Sequence, residues 1–456
     1  MAFLDDNYLM LTATGRKIFQ KIKDLPVIDP HNHANVGEIA ANDNYLDVWQ
    51  LFAATDHYVW EVMRKRGVPE EYITGDRSNH EKFLKLAEVF PKIAGNPVYE
   101  WIHLDLRRCF GIDLLLSAST GETIWHEANA ALARPGAKPL ALLKDTLKVE
   151  VMCSTDDPAD KLDLHDEVNR KAGRTLLRPT WRPDKAMNIH QVTWNAYIDR
   201  LEERFELKIR TFSDLLTTLK QSHDYFADHG CRASDHGVEV PYGEICSFDE
   251  ADAIFRRARD GETLSAREVA AYKGCFLLEV AALDAAKNWV FQLHSGAVRD
   301  VRDSLFDNLG PDVGGDVSDN FQNLMPGLRR LLNRFDDSLK IVLYCLDPGH
   351  QPTLATMARA FGERVRLGSA WWLCDTPIGM RRQLEYIGSV DLLSCFAGMV
   401  SDSRKLLSYG SRFEMFRRVL SDVLGEMVER GQMPLEVAEE LAADMCYGEV
   451  KKFFGF

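Results

Sequence analysis

Pro26-Val27-Ile28-Asp29-Pro30-His31-Asn32-His33 is the stretch on which the reading of this chain turns. Val27-Ile28-Asp29 predicts a short buried strand, and it runs into two histidines one residue apart. Residues i and i+2 of an extended backbone face the same side, so His31 and His33 aim two imidazoles at one point, as a metal site needs. The pair alone is weak, because random placement of the 13 histidines gives roughly 0.4 such pairs per chain. Its setting has to decide.

Seven further apolar runs follow, at 149–153, 175–180, 230–233, 289–293, 340–345, 365–368 and 394–400, mostly separated by helix-length segments. Eight strands alternating with helices predict an α/β fold, a parallel (β/α)8 TIM barrel. The long stretch 38–148 has helical periodicity and almost no β-branched runs, so it reads as a large helical insertion after the first strand. Residues 1–25 predict an N-terminal helical cap, and helices from about 411 onward close the barrel. No repeat, low-complexity tract or linker divides the 456 residues, which predicts one barrel domain over 1–456.

Composition narrows the function classes. Hydrophobic content of 46% and charged content of 27% describe an ordinary globule with ample core. A net charge of −14 argues against a nucleic-acid or anionic-membrane partner, so an arginine in a pocket becomes informative. No apolar run approaches the roughly 20 residues needed to span a bilayer, and the N-terminus does not read as a signal peptide. Nine cysteines without a CxxC pair predict reduced core residues in a cytoplasmic protein rather than a zinc–cysteine site.

Barrel active sites form where the strands finish. His31 and His33 follow the first run, Ser154-Thr155-Asp156-Asp157 the second, Trp181-Arg182-Pro183-Asp184 the third and Ser234-Asp235-His236 the fourth. The fifth ends at His294, the seventh at Trp371-Trp372 and the eighth at Ser401-Asp402-Ser403-Arg404. Histidine, carboxylate, arginine and tryptophan gathered at strand ends point to a metal-assisted enzyme. Plainer readings remain for single residues. Asp156 and Asp157 suit a helix cap and turn, Asp235-His236 a structural pair, and His57 and Tyr58 partly buried helix positions. Adjacent tryptophans face opposite sides of an extended chain, which favours Trp371 for the site and Trp372 for packing. Arg182 and Arg404 lie among ligands, where solvated arginines seldom do.

The H-x-H pair, the histidine after the fifth run and the aspartate after the eighth resemble the amidohydrolase superfamily of metal-dependent barrels. A closer likeness runs from about residue 26 to 418. Asp56-His57-Tyr58, Gly95-Asn96-Pro97, Ser154-Thr155-Asp156-Asp157-Pro158, Trp181-Arg182-Pro183-Asp184-Lys185, Leu309-Gly310-Pro311-Asp312-Val313-Gly314, Gly368-Ser369-Ala370-Trp371-Trp372, Ser401-Asp402-Ser403-Arg404 and Leu407-Ser408-Tyr409 resemble the uronate isomerase (glucuronate isomerase) family. Ser411-Arg412-Phe413-Glu414-Met415 departs from that pattern. No lysine ends the fourth run and no histidine the sixth, so the resemblance implies at most one divalent ion, zinc being the expected one, held by His31, His33 and Asp402.

The resemblance implies an aldose–ketose isomerase that interconverts D-glucuronate with D-fructuronate and D-galacturonate with D-tagaturonate. Moving a proton from C2 to C1 demands a base, an acid near the carbonyl oxygen and stabilisation of developing charge. Asp402 is the expected base and Tyr58 the expected acid, with His57 beside it. Arg182 and Arg404 are expected to grip the sugar acid, Trp371 to offer it an apolar face, and His294 to orient a water or hydroxyl. A homo-oligomer is expected. The rival readings are a metal-dependent hydrolase or deaminase, and a non-catalytic sugar-acid binding protein. The missing sixth-run histidine counts against the former, and the intact His31, His33 and Asp402 against the latter.

Overall fold

In the computed structural model, which describes residues 3–456, β1 (Val27–Asp29) is buried throughout and lies parallel to β2 (Val149–Cys153). β2 pairs in turn with β3 (Leu177–Arg178), giving one parallel sheet in the order β1-β2-β3. β4 (Ala233–Val238) and β5 (Val290–Ser295) begin a second parallel sheet. A small antiparallel pair, β6 (Ala297–Val298) with β7 (Val317–Ser318), interrupts the chain. The second sheet then continues through β8 (Lys340–Cys345) and β9 (Val365–Leu367), in the order β4-β5-β8-β9. The protein is thus α/β with parallel sheets, helices filling most of the crossovers.

Backbone bonds link the two sheets on both sides. Trp181 bridges Asp156 and Ser234, its N–H donating to Ala233 O at 3.2 Å and its carbonyl accepting from Asp235 N at 3.0 Å. On the other side Ala397 N donates to Leu367 O at 2.9 Å, while Asp402 N donates to His31 O at 3.2 Å. The run at 394–400 therefore lies between β9 and the chain after β1, yet it is not a strand. Leu393–Cys395 is a short 3-10 turn, and Gly398 has φ +102°, which breaks the extended run. That glycine is required, since a Cβ there would meet Val450 Cγ2 at 2.6 Å. Side chains replace part of the ladder: Val400 N donates to Ser369 Oγ and Ser401 N to Asp29 Oδ1.

Two other runs shift. The run expected at 175–180 shrinks to β3, and the one at 230–233 becomes β4, which reaches Val238. Gly230 turns at φ +85° after the helix Phe212–Asp228, so pairing begins only at Ala233. The polar residues Ser234, Asp235 and His236 are fully buried inside that strand.

Between β1 and β2 the chain forms helices and turns. The quoted motifs at 56–58 and 95–97 are side-chain-capped helix starts: Asp56 caps His57–Lys65 by accepting from Tyr58 N at 2.9 Å, and Asn96 caps Pro97–Asp105 by accepting from Val98 N at 3.0 Å. The N-terminal helix is Ala13–Ile22, and Ser408–Glu429, Leu435–Ala443 and Glu449–Phe454 end the chain. Among the described residues no helix is long and apolar enough to cross a membrane.

Candidate active site

A cleft of about 500 Å³ opens beyond the carboxyl ends of the strands. At its floor the backbone after β1 runs beside 402–403, with His33 N donating to Ser403 O at 3.0 Å. This pairing brings Asp402 Oδ1 to 3.1 Å from His31 Nε2 and 3.2 Å from His33 Nε2. Burial would raise the Asp402 carboxyl, but the two histidines outweigh it and hold the group well below the usual carboxylate range. Burial lowers His33 against the pull of Asp402, favouring the neutral imidazole.

Asp235 is the second centre, with no side-chain exposure. Its Oδ2 lies 2.9 Å from Arg182 Nη1 and 3.8 Å from His31 Nδ1, and its Oδ1 lies 2.7 Å from His294 Nδ1. Burial opposes its ionisation, yet Arg182, His31 and His294 keep it well below the ordinary value. Arg182 Nε also donates to Asp184 Oδ2 at 2.7 Å. Gly237 makes room for this pair, since a Cβ there would lie 2.4 Å from Arg182 Nη2. His294 is lowered to about 4, burial being the main cause, so it is neutral in the folded chain. Its ring stacks on Tyr344 at 4.3 Å.

Among the described residues two donor sets could hold a cation: His31, His33 and Asp402, and His31, Asp235 and His294. The ligand atoms within each set lie within 4.8 Å of one another. Two imidazoles and a carboxylate suit a borderline-soft divalent ion. The first set fits better, because Arg182 already neutralises Asp235 and would repel a neighbouring cation.

The expected site residues are gathered unevenly. His31, His33, His57, Arg182, His294, Trp371, Asp402 and Arg404 all line the cleft. Trp372 lines it too, against expectation, because its φ of +22° turns the chain and lets both indoles face inward. Tyr58 does not reach the wall. His57 stacks on its ring at 5.0 Å, and the Tyr58 hydroxyl donates to Asp375 Oδ1 at 2.9 Å while accepting from Leu373 N at 3.1 Å. Asp235, expected as structural, lies within β4 rather than after it and is paired behind the cleft with Arg182, His31 and His294. Asp157 is a turn residue, accepting from Ala159 N at 2.9 Å. The arginines differ in commitment. Arg182 is held by two carboxylates, and Arg299 pairs with Asp316 at 2.7 Å over the Trp372 ring. Among the described residues Arg404 pairs with Asp312 alone, at 3.6 Å to its carboxylate and 3.3 Å to its carbonyl oxygen.

Parallel strands that bring two histidines, an aspartate and a loosely held arginine to one cleft define an α/β protein with a cation-fitted site. The sequence profile of glucuronate isomerase matches residues 1–454. The chain is 49% identical to the uronate isomerase of Thermotoga maritima over 454 residues, covering 99% of this chain and 100% of the relative. The crystal structure of the Thermotoga maritima uronate isomerase superposes with a TM-score of 0.97 at 48% identity, covering 100% of both chains. That of the Caulobacter crescentus glucuronate isomerase gives 0.94 at 27% identity, covering 100% of this chain and 97% of that one. The chain belongs to the glucuronate isomerase family.

Proposed function

We propose that this isomerase interconverts D-glucuronate with D-fructuronate and D-galacturonate with D-tagaturonate by moving a proton between C2 and C1. The observation that carries the reading is one carboxylate oxygen of Asp402 within 3.2 Å of both His31 and His33, in a cleft that also holds Arg404. Arg404, the least committed arginine of the cleft, takes the uronate carboxylate, and Arg182 faces a sugar hydroxyl from its fixed position. Asp402 is ionised at neutral pH and removes the C2 proton from the open-chain aldehyde. His57, on the cleft wall, gives a proton to O1 and accepts one from O2; Asp402 then returns its proton to C1. In this arrangement Tyr58 backs His57, and a role for Tyr58 as the acid requires its hydroxyl to leave Asp375. The Trp371 indole offers the apolar face, and neutral His294 orients a hydroxyl.

His31, His33 and Asp402 would hold one divalent ion, zinc by the character of the donors. When bound, it would supply Lewis-acid polarisation worth several kcal/mol to enolisation. The bonds from Trp181 to both sheets, and from Ala397 and Asp402 to the chain on either side, support a closed (β/α)8 barrel in one domain with residues 38–148 as its helical insertion. Nine free cysteines support a cytoplasmic setting, and a homo-oligomer is part of the same proposal.

The test is ketose formation by the purified protein from glucuronate and galacturonate, before and after chelation. Turnover that chelation removes and divalent metal restores is expected. Ammonia release, a new carboxylate, or binding without turnover would refute the reading.

A further inference from the structure

The departing segment around Arg412 has a place in this site. Arg412, on the first turns of the helix Ser408–Glu429, is 1% exposed. Its guanidinium lies between two rings, 4.8 Å from the Tyr58 centroid and 4.4 Å from that of Trp101. Nη1 donates to the carbonyl oxygen of Ser401 at 2.8 Å and to Asp375 Oδ2 at 2.7 Å. Asp375 Oδ1 accepts from Tyr58, whose oxygen accepts from Leu373 N.

Both ends of this chain of bonds are left-handed turns of residues with side chains. Asp402, directly after Ser401, has φ +45°, while Trp372 and Leu373 have φ +22° and +58°. Such conformations are strained for a residue with a Cβ and persist only where the surroundings impose them. One turn aims the Asp402 carboxylate at His31 and His33; the other turns both indoles into the cleft. Ser401 is also held from below, where its N–H and hydroxyl donate to Asp29. The guanidinium touches both the Ser401–Asp402 peptide and Asp375, the anchor of the tryptophan turn.

We propose that Arg412 is a positioning residue, its buried guanidinium holding the base and the aromatic wall in register by fixing the Ser401–Asp402 peptide and, through Asp375 and Tyr58, the Trp372–Leu373 turn. This rests on Asp402 serving as the base and cation ligand proposed above. A purely structural pair would stabilise the fold without setting the cleft's geometry.

Arg412→Ala alone would strand Asp375 as a buried unpaired charge, so the informative variants are Arg412→Lys and the double Arg412→Met/Asp375→Asn. Each is tested for wild-type circular dichroism, uronate kinetics and zinc affinity against a chelating dye. Ligand-supporting groups typically matter by about 10–100-fold, so the folded double variant is expected to lose kcat and zinc affinity on that scale, with KM changed less than about threefold. Arg412→Lys, which keeps a donor, is expected to recover most of both. Folded variants with kcat and zinc affinity within about threefold of wild type would overturn the proposal. So would losses that only follow the folded fraction, or failure of both variants to fold where Asp402→Asn folds, since either makes the pair merely structural. Inactivity of the wild type on uronates, with zinc affinity still lowered in the variants, would instead count against the function and not against the positioning.

Discussion

Asp235 Oδ2 lies 2.9 Å from Arg182 Nη1, and the same fully buried carboxylate reaches His294 Nδ1 at 2.7 Å with its other oxygen. A buried charge is tolerated when paired, and removing one partner strands the other. Asp235 therefore fixes the direction of an arginine and an imidazole that line the cleft, without lining it itself.

Asp235→Asn is expected to lower kcat/KM by about 100-fold, or about 2.7 kcal/mol, by leaving Arg182 with Asp184 alone and His294 without the carboxylate that orients its Nδ1. Steady-state kinetics on both uronates check this. A change within about twofold would remove Asp235 from the site's machinery.

Arg404→Met is expected to raise KM by about 30–100-fold, the loss of one charge-assisted bond to a carboxylate, with a smaller change in kcat. Arg404→Lys recovers part of it. Binding of a neutral aldose, which lacks the carboxylate, is expected to be the same in both variants and the wild type. Equal loss toward the neutral sugar would contradict carboxylate recognition by Arg404.

Asp105, the last residue of the helix Pro97–Asp105, gives a stability prediction independent of the site's cation. It is fully buried, and burial pushes its carboxyl up to about 7 against the pull of Lys405, Ser411, Arg108 and Arg412. The folded chain thus keeps a proton that the unfolded chain releases near 3.8, so this group's contribution falls as pH rises from about 4 to about 7. Asp105→Asn cannot ionise and is expected to gain about 1–3 kcal/mol on wild type between pH 5 and pH 8 in urea unfolding. A pH-independent difference would contradict the raised value.

Much of the site was legible because strand ends are where chemistry collects: His31, His33, Arg182, His294, Asp402 and Arg404 all reach the cleft. What stayed hidden depended on backbone direction. Asp235 sits inside β4, and a polar run gave no sign that the strand continued through it. Trp372 faces inward only because its φ is positive, and Tyr58 points away because the Asp56 cap sets the rotation of its helix. The eighth run reads as a strand by its apolar residues, but Gly398 and side-chain hydrogen bonds take it out of the regular ladder. Local pattern marks the elements; long-range pairing fixes which way each side chain faces.

The most direct test of Asp402 as proton carrier is glucuronate turnover in deuterium oxide, with the fructuronate product read by NMR at C1. Solvent deuterium at C1 is expected in the wild type, and Asp402→Asn is expected to lose both turnover and exchange while keeping its fold. Product carrying only the original hydrogen at C1 would contradict proton transfer through Asp402 and favour a hydride shift.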